Sequence, residues 1–175
     1  IHSSTKEIKM AEAIDQLSNQ TDGEAILVTD VGQHQMIAAR YYQFKYPNSH
    51  ITSGGLGTMG FSLPAAIGAK IAIPNRQVIA VMGDGGFQMN LQELGVISQE
   101  NLPVKIIILN NHFLGMVRQW QELFFEKRYS FSELKNPNFI KLAESYEIPA
   151  ARVVERHELH KNIQTALDHN GPYLL

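Results

Sequence analysis

The chain has 175 residues, 15 Lys and Arg against 17 Asp and Glu for a net charge of −2, and no cysteine. That length suits one domain that buries about 70 % of its unfolded surface, while the charge leaves no basic field for nucleic acid and no Lys/Arg run for an anionic membrane. Disulfides and thiolate metal sites are excluded, no apolar run reaches the roughly 18 residues of a membrane span, and no signal peptide is visible, so a soluble, cytoplasmic protein is expected.

Met10, Ala13, Ile14 and Leu17 recur at i, i+3, i+4 and i+7 and line one face of a first helix, which Asn19 to Gly23 breaks. Ala25 to Val28 reads as a strand ending at Thr29-Asp30, with Val31-Gly32-Gln33-His34 as the loop at its carboxyl end, where functional residues collect. A helix from about Gln35 to Phe44 stops before Pro47. His50 to Ser53 is a short extended lead into the glycine-rich turn ending at Gly60. Val78 to Val81 is a buried strand that stops at Gly83-Asp84-Gly85-Gly86, and a helix from about Phe87 to Gln99 follows. Val104 to Leu109, β-branched and almost uninterrupted, has the make-up of a strand buried on both faces of a parallel sheet, and it ends at Asn110-Asn111.

Next come a helix over His112 to Phe125 and a polar connection through Lys135. Asn136 is expected to cap the following helix with Pro137 at its first position, and Phe139, Leu142, Ala143 and Tyr146 to line its buried side. Arg152 to Val154 reads as a strand; Leu159, Ile163, Ala166 and Leu167 repeat as a helix stopped by Asn170-Gly171-Pro172, and a last strand begins at the end. Starting at Ile1 and stopping inside that strand, the chain is expected to be a piece of a longer polypeptide. Alternating strands and helices predict an α/β fold, a mainly parallel sheet flanked by helices on both faces.

In such a sheet ligands sit outside the carboxyl ends of the strands, which is where Asp84 and Asn111 fall. A carboxylate, an amide oxygen and a nearby main-chain carbonyl are half of an octahedral oxygen shell, suited to magnesium that takes its other ligands from phosphate and water. Glycines 83, 85 and 86 let backbone N–H groups approach a phosphate at a helix start. Two plainer readings compete: Asp84 could cap its helix, and Gly55 to Gly60 with Asp84 downstream fits the fingerprint of a nicotinamide-binding Rossmann unit. The second leaves the turn at Asp84 unexplained and enters its glycines from barely a strand. His157 and His160, at i, i+3, could suggest a metal but read as surface helix residues.

Gly83-Asp84-Gly85, 24 residues, then Asn110-Asn111 resembles the thiamine-diphosphate-binding motif of the thiamine-dependent enzymes. Gly32-Gln33-His34-Gln35-Met36, Gly54 to Phe61 and Leu114-Gly115-Met116-Val117-Arg118-Gln119-Trp120 resemble, more narrowly, the carboxy-terminal domain of the acetohydroxyacid (acetolactate) synthase catalytic subunit; the resemblance covers nearly the whole chain. It implies that Asp84, Asn111 and the main-chain oxygen of Phe113 hold Mg2+. It implies that Gln33, His34, Gly57, Thr58, Gly83, Gly85, Gly86, Gly115 and Met116 contact thiamine diphosphate, with Met59 wedged beneath it to bend it. Met116, Val117 and Trp120 would shape the keto-acid pocket.

The implied reaction condenses two pyruvates, or pyruvate and 2-ketobutyrate, with loss of CO2 to acetolactate or acetohydroxybutyrate, early in branched-chain amino-acid biosynthesis. A sibling thiamine enzyme, a pyruvate oxidase or a 2-keto acid decarboxylase, is the alternative. The resemblance further implies a three-domain subunit working as a homodimer or tetramer, a regulatory small subunit, and FAD held mainly by a domain not in this chain. The glutamate that activates the cofactor belongs to another domain of the partner subunit, so this chain alone is expected to be inactive. Gly86 stands where many relatives carry serine, a change expected to matter little because the backbone role survives.

Overall fold

A computed structural model describes residues 7–175. In chain order the elements are α1 (Met10–Gln20), β1 (Ile26–Thr29), α2 (Gln33–Tyr41), β2 (His50–Thr52), α3 (Ser62–Ala72), β3 (Val78–Gly83), α4 (Asp84–Met89), α5 (Leu94–Gln99), β4 (Val104–Leu109), α6 (Gly115–Phe124), α7 (Phe139–Ser145), α8 (Leu159–Asp168) and β5 (Tyr173–Leu174). The five strands form one sheet in the order β2-β1-β3-β4-β5, and every pair is parallel.

Strand side chains alternate between two faces, and each face has its own core. Ile26, Val28, Val78, Ala80, Met82, Val104 and Ile106 pack with Leu63 and Ala66 of α3, Leu94 and Ile97 of α5, and Phe139 and Ala143 of α7. Leu27, Ile79, Val81 and Ile107 pack with Ile14 and Leu17 of α1, Ala38 of α2, and Leu159 and Ile163 of α8. Lys105 points to this second face, where its ammonium donates to the carbonyls of His169 (2.6 Å) and Gly171 (2.7 Å), just past the end of α8. Those carbonyls need a donor, and a cation suits that end of a helix. Burial still pushes the lysine down to about 8.

Several local expectations shift. The loop expected at Gln33-His34 is already helix: Gly32, at φ 152° in a region where a side chain would strain, turns the chain so that α2 starts at Gln33. Ser62–Ala72, where no helix is expected from the pattern, forms α3, 11 residues long, which supplies much of one core face. The single helix expected after Gly86 is broken, because Asn90 leaves helical geometry and its side-chain amide donates to the Gly60 carbonyl at 2.7 Å. His112 takes a left-handed φ of 63°, which delays the next helix to Gly115. The cap of α7 is Asn138, whose Oδ1 accepts from the N–H groups of Ile140 and Lys141, so Asn136 is not the cap and Pro137 is not the first helical residue. Arg152–Val154 forms no strand; Ala150 makes a single bridge to Leu174 instead.

Candidate functional site

The strand order fixes where a site can be. The chain leaves β1 toward β2 and returns past it to β3, so the direction of winding reverses between β1 and β3, and a crevice opens at their carboxyl ends. β1 delivers Asp30 to His34 there, β3 delivers Gly83 to Gly86, and β4 delivers Asn110 to Gly115. Gly83 is in register with Leu109, which sets Asp84 and Asn110 side by side at adjacent strand ends. The three loops and Met59 line one small recess, with Met116 and Val117 at its side.

The β1 loop is rigidly built. Asp30, 1 % exposed, accepts from the backbone N–H of Val31 (2.6 Å) and of Gly60 (3.0 and 3.1 Å) and from the Ser62 hydroxyl (3.3 Å). Burial raises its carboxyl above the ordinary value, and these donors act against that. The carboxylate thereby anchors the Met59-Gly60 turn and the start of α3 from across the sheet. It also fills the space beside Gly86, where an added Cβ would lie 2.7 Å from Oδ2. A side chain at Gly86 would force Asp30 or the turn to shift, so the position is more crowded than a purely backbone role implies.

His34 is 5 % exposed, and burial pushes its imidazole down to about 4, so the ring is neutral at pH 7. Its Nε2 is buried in the wall of the recess and has no hydrogen-bond partner among the described residues, which is costly unless something else supplies one. Gln33, one residue earlier, donates from Nε2 to Gln119 Oε1 at 2.8 Å and ties α2 to α6.

At the other wall Asp84, also 1 % exposed, is the first residue of α4 but makes no capping bond to its own helix. Its Oδ2 instead accepts from Asn136 Nδ2 at 2.6 Å, leaving Oδ1 available. Asn111 Oδ1 accepts from the Phe113 N–H at 3.0 Å, a local turn that holds the amide oxygen and brings the Phe113 backbone beside it. The Arg118 guanidinium lies 3.9 Å from the Phe113 ring centroid and 4.8 Å from that of Tyr129, which holds this segment against the first turn of α6.

This arrangement fits a magnesium-held diphosphate. The donors at the recess are a carboxylate, an amide oxygen and a main-chain carbonyl, all hard oxygens. Backbone N–H groups at the start of α4, and an orphaned His34 Nε2, are free for phosphate oxygens.

Of the residues expected from the sequence, the structure brings Gln33, His34, Met59, Gly83, Asp84, Gly85, Gly86, Asn111, Phe113, Gly115, Met116 and Val117 to this recess. Gly57 and Thr58 stay on the exposed turn outside it. Trp120 is also outside, 55 % exposed and packed on Phe124 with ring centroids 4.8 Å apart. His160 bonds to Gln16 and Gln20 of α1, and no cluster of three or more acidic, His or Cys groups suited to a metal exists among the described residues. Sequence reasoning overlooked Asp30 and Asn136. Both look like ordinary turn or cap residues until the fold shows what their side chains reach.

Residues 30–175 match the family model described as the thiamine pyrophosphate enzyme C-terminal TPP binding domain. Among curated proteins the chain is 48 % identical to acetolactate synthase isozyme 2 large subunit of Escherichia coli (strain K12), over 91 % of this chain and 29 % of that protein. It is 51 % identical to acetolactate synthase 2, chloroplastic, of Nicotiana tabacum, over 93 % of this chain and 26 % of that protein. Identity is 50 % to the mitochondrial acetolactate synthase of Schizosaccharomyces pombe (strain 972 / ATCC 24843), over 96 % of this chain and 26 % of that protein. The chain thus spans well under a third of the length of these relatives. Among solved structures, the thiamine diphosphate-dependent 4-hydroxybenzoylformate decarboxylase of Rhodococcus jostii RHA1 superposes with a TM-score of 0.90 at 26 % identity, covering 99 % of this chain and 33 % of that one.

Proposed function

The chain belongs to the thiamine pyrophosphate enzymes, as their C-terminal TPP binding domain, and from this premise we propose that it is the cofactor-anchoring domain of an acetolactate synthase. The protein would condense two pyruvates, or pyruvate and 2-ketobutyrate, with loss of CO2, and serve branched-chain amino-acid synthesis in the cytoplasm. Identity near 50 % to acetolactate synthases from a bacterium, a plant and a yeast supports that choice over the decarboxylase, which shares the fold at 26 %. The nicotinamide reading falls with the family match, and β2, which enters its glycines, is a three-residue edge strand.

The observation that carries the reading is the joint presentation of Asp84, Asn111 and the unpartnered His34 Nε2 around the glycine turn at the β1/β3 reversal. Asp84 Oδ1, Asn111 Oδ1 and the Phe113 carbonyl would hold Mg2+, and the start of α4 would receive the diphosphate. His34, neutral at pH 7, would donate from Nε2 or accept there according to its tautomer. When bound, thiamine diphosphate supplies the electron sink for breaking the bond to the keto acid's carboxylate. Met59, half-buried at the recess with its methyl beside Gly85, would support the cofactor from below. Met116 and Val117 would exclude water from the reacting face, and Trp120 would meet the side chain of the second keto acid. FAD, the activating glutamate, a dimeric or tetrameric assembly and a regulatory small subunit belong to the same proposal and would come from outside this chain.

The test is product identification with the full-length protein, thiamine diphosphate, Mg2+ and pyruvate, with and without 2-ketobutyrate. Acetolactate, joined by acetohydroxybutyrate when the second acid is present, is expected. Acetaldehyde or acetyl phosphate in their place would move the chain to a decarboxylase or an oxidase.

A further inference from the structure

We propose that Asn136 is a positioning residue for the metal, its side-chain amide fixing which oxygen of Asp84 faces the cation and holding the ends of β3 and β4 together. This rests on the reading of Asp84 as a metal ligand and adds a residue to it. The side-chain amide of asparagine has two N–H donors. In Asn136 they meet Asp84 Oδ2 at 2.6 Å and Asn110 Oδ1 at 2.9 Å, with His112 Nδ1 a looser third neighbour at 3.3 Å. Asp84 follows β3 and Asn110 follows β4, so one planar group crosslinks the two loops that would carry the metal ligands.

The orientation of that group is determined by its other side. Gln88 Nε2 donates to Asn136 Oδ1 at 3.0 Å and to the Asp84 carbonyl at 3.1 Å. Turning the Asn136 amide over would set its oxygen against two acceptors and its nitrogen against a donor. The amide nitrogen therefore stays on Oδ2, and Oδ1 is the Asp84 oxygen left without a protein donor to face the cation.

Asn136 is not engaged in capping, since Asn138 does that for α7. It is also firmly mounted. Three residues on, Phe139 packs edge-on to Phe87 of α4, ring centroids 5.4 Å apart, so Asn136 and Asp84 hang from two helices that share a core contact. Hydrogen bonds to a ligating carboxylate orient it, and removing such a partner costs about 10–100-fold in metal affinity.

Positioning makes a claim that simple bracing does not. Mg2+ demands near-ideal octahedral geometry, whereas Ca2+ accepts a flexible shell. A carboxylate that has lost its guide should lose Mg2+ more than Ca2+. The experiment is calorimetric titration of Mg2+ and of Ca2+ into the full-length protein with thiamine diphosphate present, for the parent, Asn136→Ala, Asn136→Leu, Asp84→Asn and the double variant Asp84→Asn/Asn136→Ala. Asn136→Leu keeps the volume if Asn136→Ala folds poorly, and melting of the metal-free proteins monitors folding.

Expected are a roughly 10-fold or greater loss of Mg2+ affinity in both Asn136 variants, a smaller loss for Ca2+, and no further loss when Asn136→Ala is added to Asp84→Asn. Unchanged Mg2+ affinity, equal losses for both ions, or losses that add across the double variant would overturn the proposal. If Asp84→Asn itself binds Mg2+ like the parent, the metal-ligand reading falls and takes this one with it; if only the Asn136 variants are silent, the ligand reading stands alone.

Discussion

Two neighbouring regions of this molecule are built in opposite ways. At the carboxyl ends of β1, β3 and β4, Asp30, His34 and Asp84 are buried, and Asp30 and Asp84 are tied by side-chain hydrogen bonds to residues far away in the chain. A few residues further on, α6 buries none of its residues, and Val117, Trp120, Leu123, Phe124, Phe125, Tyr129 and Phe131 stand open to solvent. The first region holds its polar side chains in fixed positions. The second presents an apolar surface of the kind that marks a site of contact rather than a finished wall. Within this chain the loops at the strand ends are thus fixed by its own contacts, while α6 leaves an apolar face open.

That contrast breaks if changes at the two ends act alike. The largest effect belongs to Asp84→Ala, which should weaken thiamine diphosphate and Mg2+ binding by at least about 100-fold, read by calorimetry on the full-length protein; retention of normal affinity would remove the anchor from this place. Next comes acid. His34 is depressed to about 4 in the fold against 6.5 free, so between those values the unfolded chain binds the extra proton. Stability therefore is fully present above pH 6.5 and declines as pH falls toward 4, by up to about 1.4 kcal/mol per pH unit from this group. Melting followed across that window should flatten in His34→Gln, and an unchanged slope would show that the buried imidazole is not responsible.

Smaller in effect is Gly86→Ala, for which overpacking against Asp30 should cost roughly 1–3 kcal/mol in denaturant melts. Combined with Asp30→Ser, which vacates the space, it should cost less than the sum of the two changes. Strict additivity would mean that the turn moves aside without difficulty. The smallest shift is expected for Trp120→Ala, within about 0.5 kcal/mol of the parent because the ring is exposed. Its KM for the second keto acid should nevertheless change, and a large loss of stability with unaltered KM would assign the ring to packing.

The sequence made the scaffold legible where periodicity was strong. Val104–Leu109 matches its expected bounds because a β-branched run buried on both faces has few alternatives. The Asp84 and Asn111 pairing was legible too, since a glycine turn and paired asparagines at fixed spacing follow consecutive strands. Less visible was whatever depended on contacts across the sheet. Asn90 carried no local sign that it would leave its helix to reach Gly60, and Asn136 had a better local explanation as a cap than the one it has in the fold. Asp30 gave no hint that it would crowd Gly86. Helix α3 was overlooked because Pro64 and Gly68 obscure its pattern, although proline is tolerated in a first turn.

β3 is hydrogen-bonded to a strand on each edge and sends successive side chains into both cores, so no part of it can open without disturbing both layers. Its amides should exchange with deuterium only through global unfolding, while those of residues 115–131 exchange through local opening. The loop bearing Asp84 is thus rooted in a strand paired on both edges. Opening at the far end of α6, beyond Gln119, can then leave the turn that carries Asp84 in place.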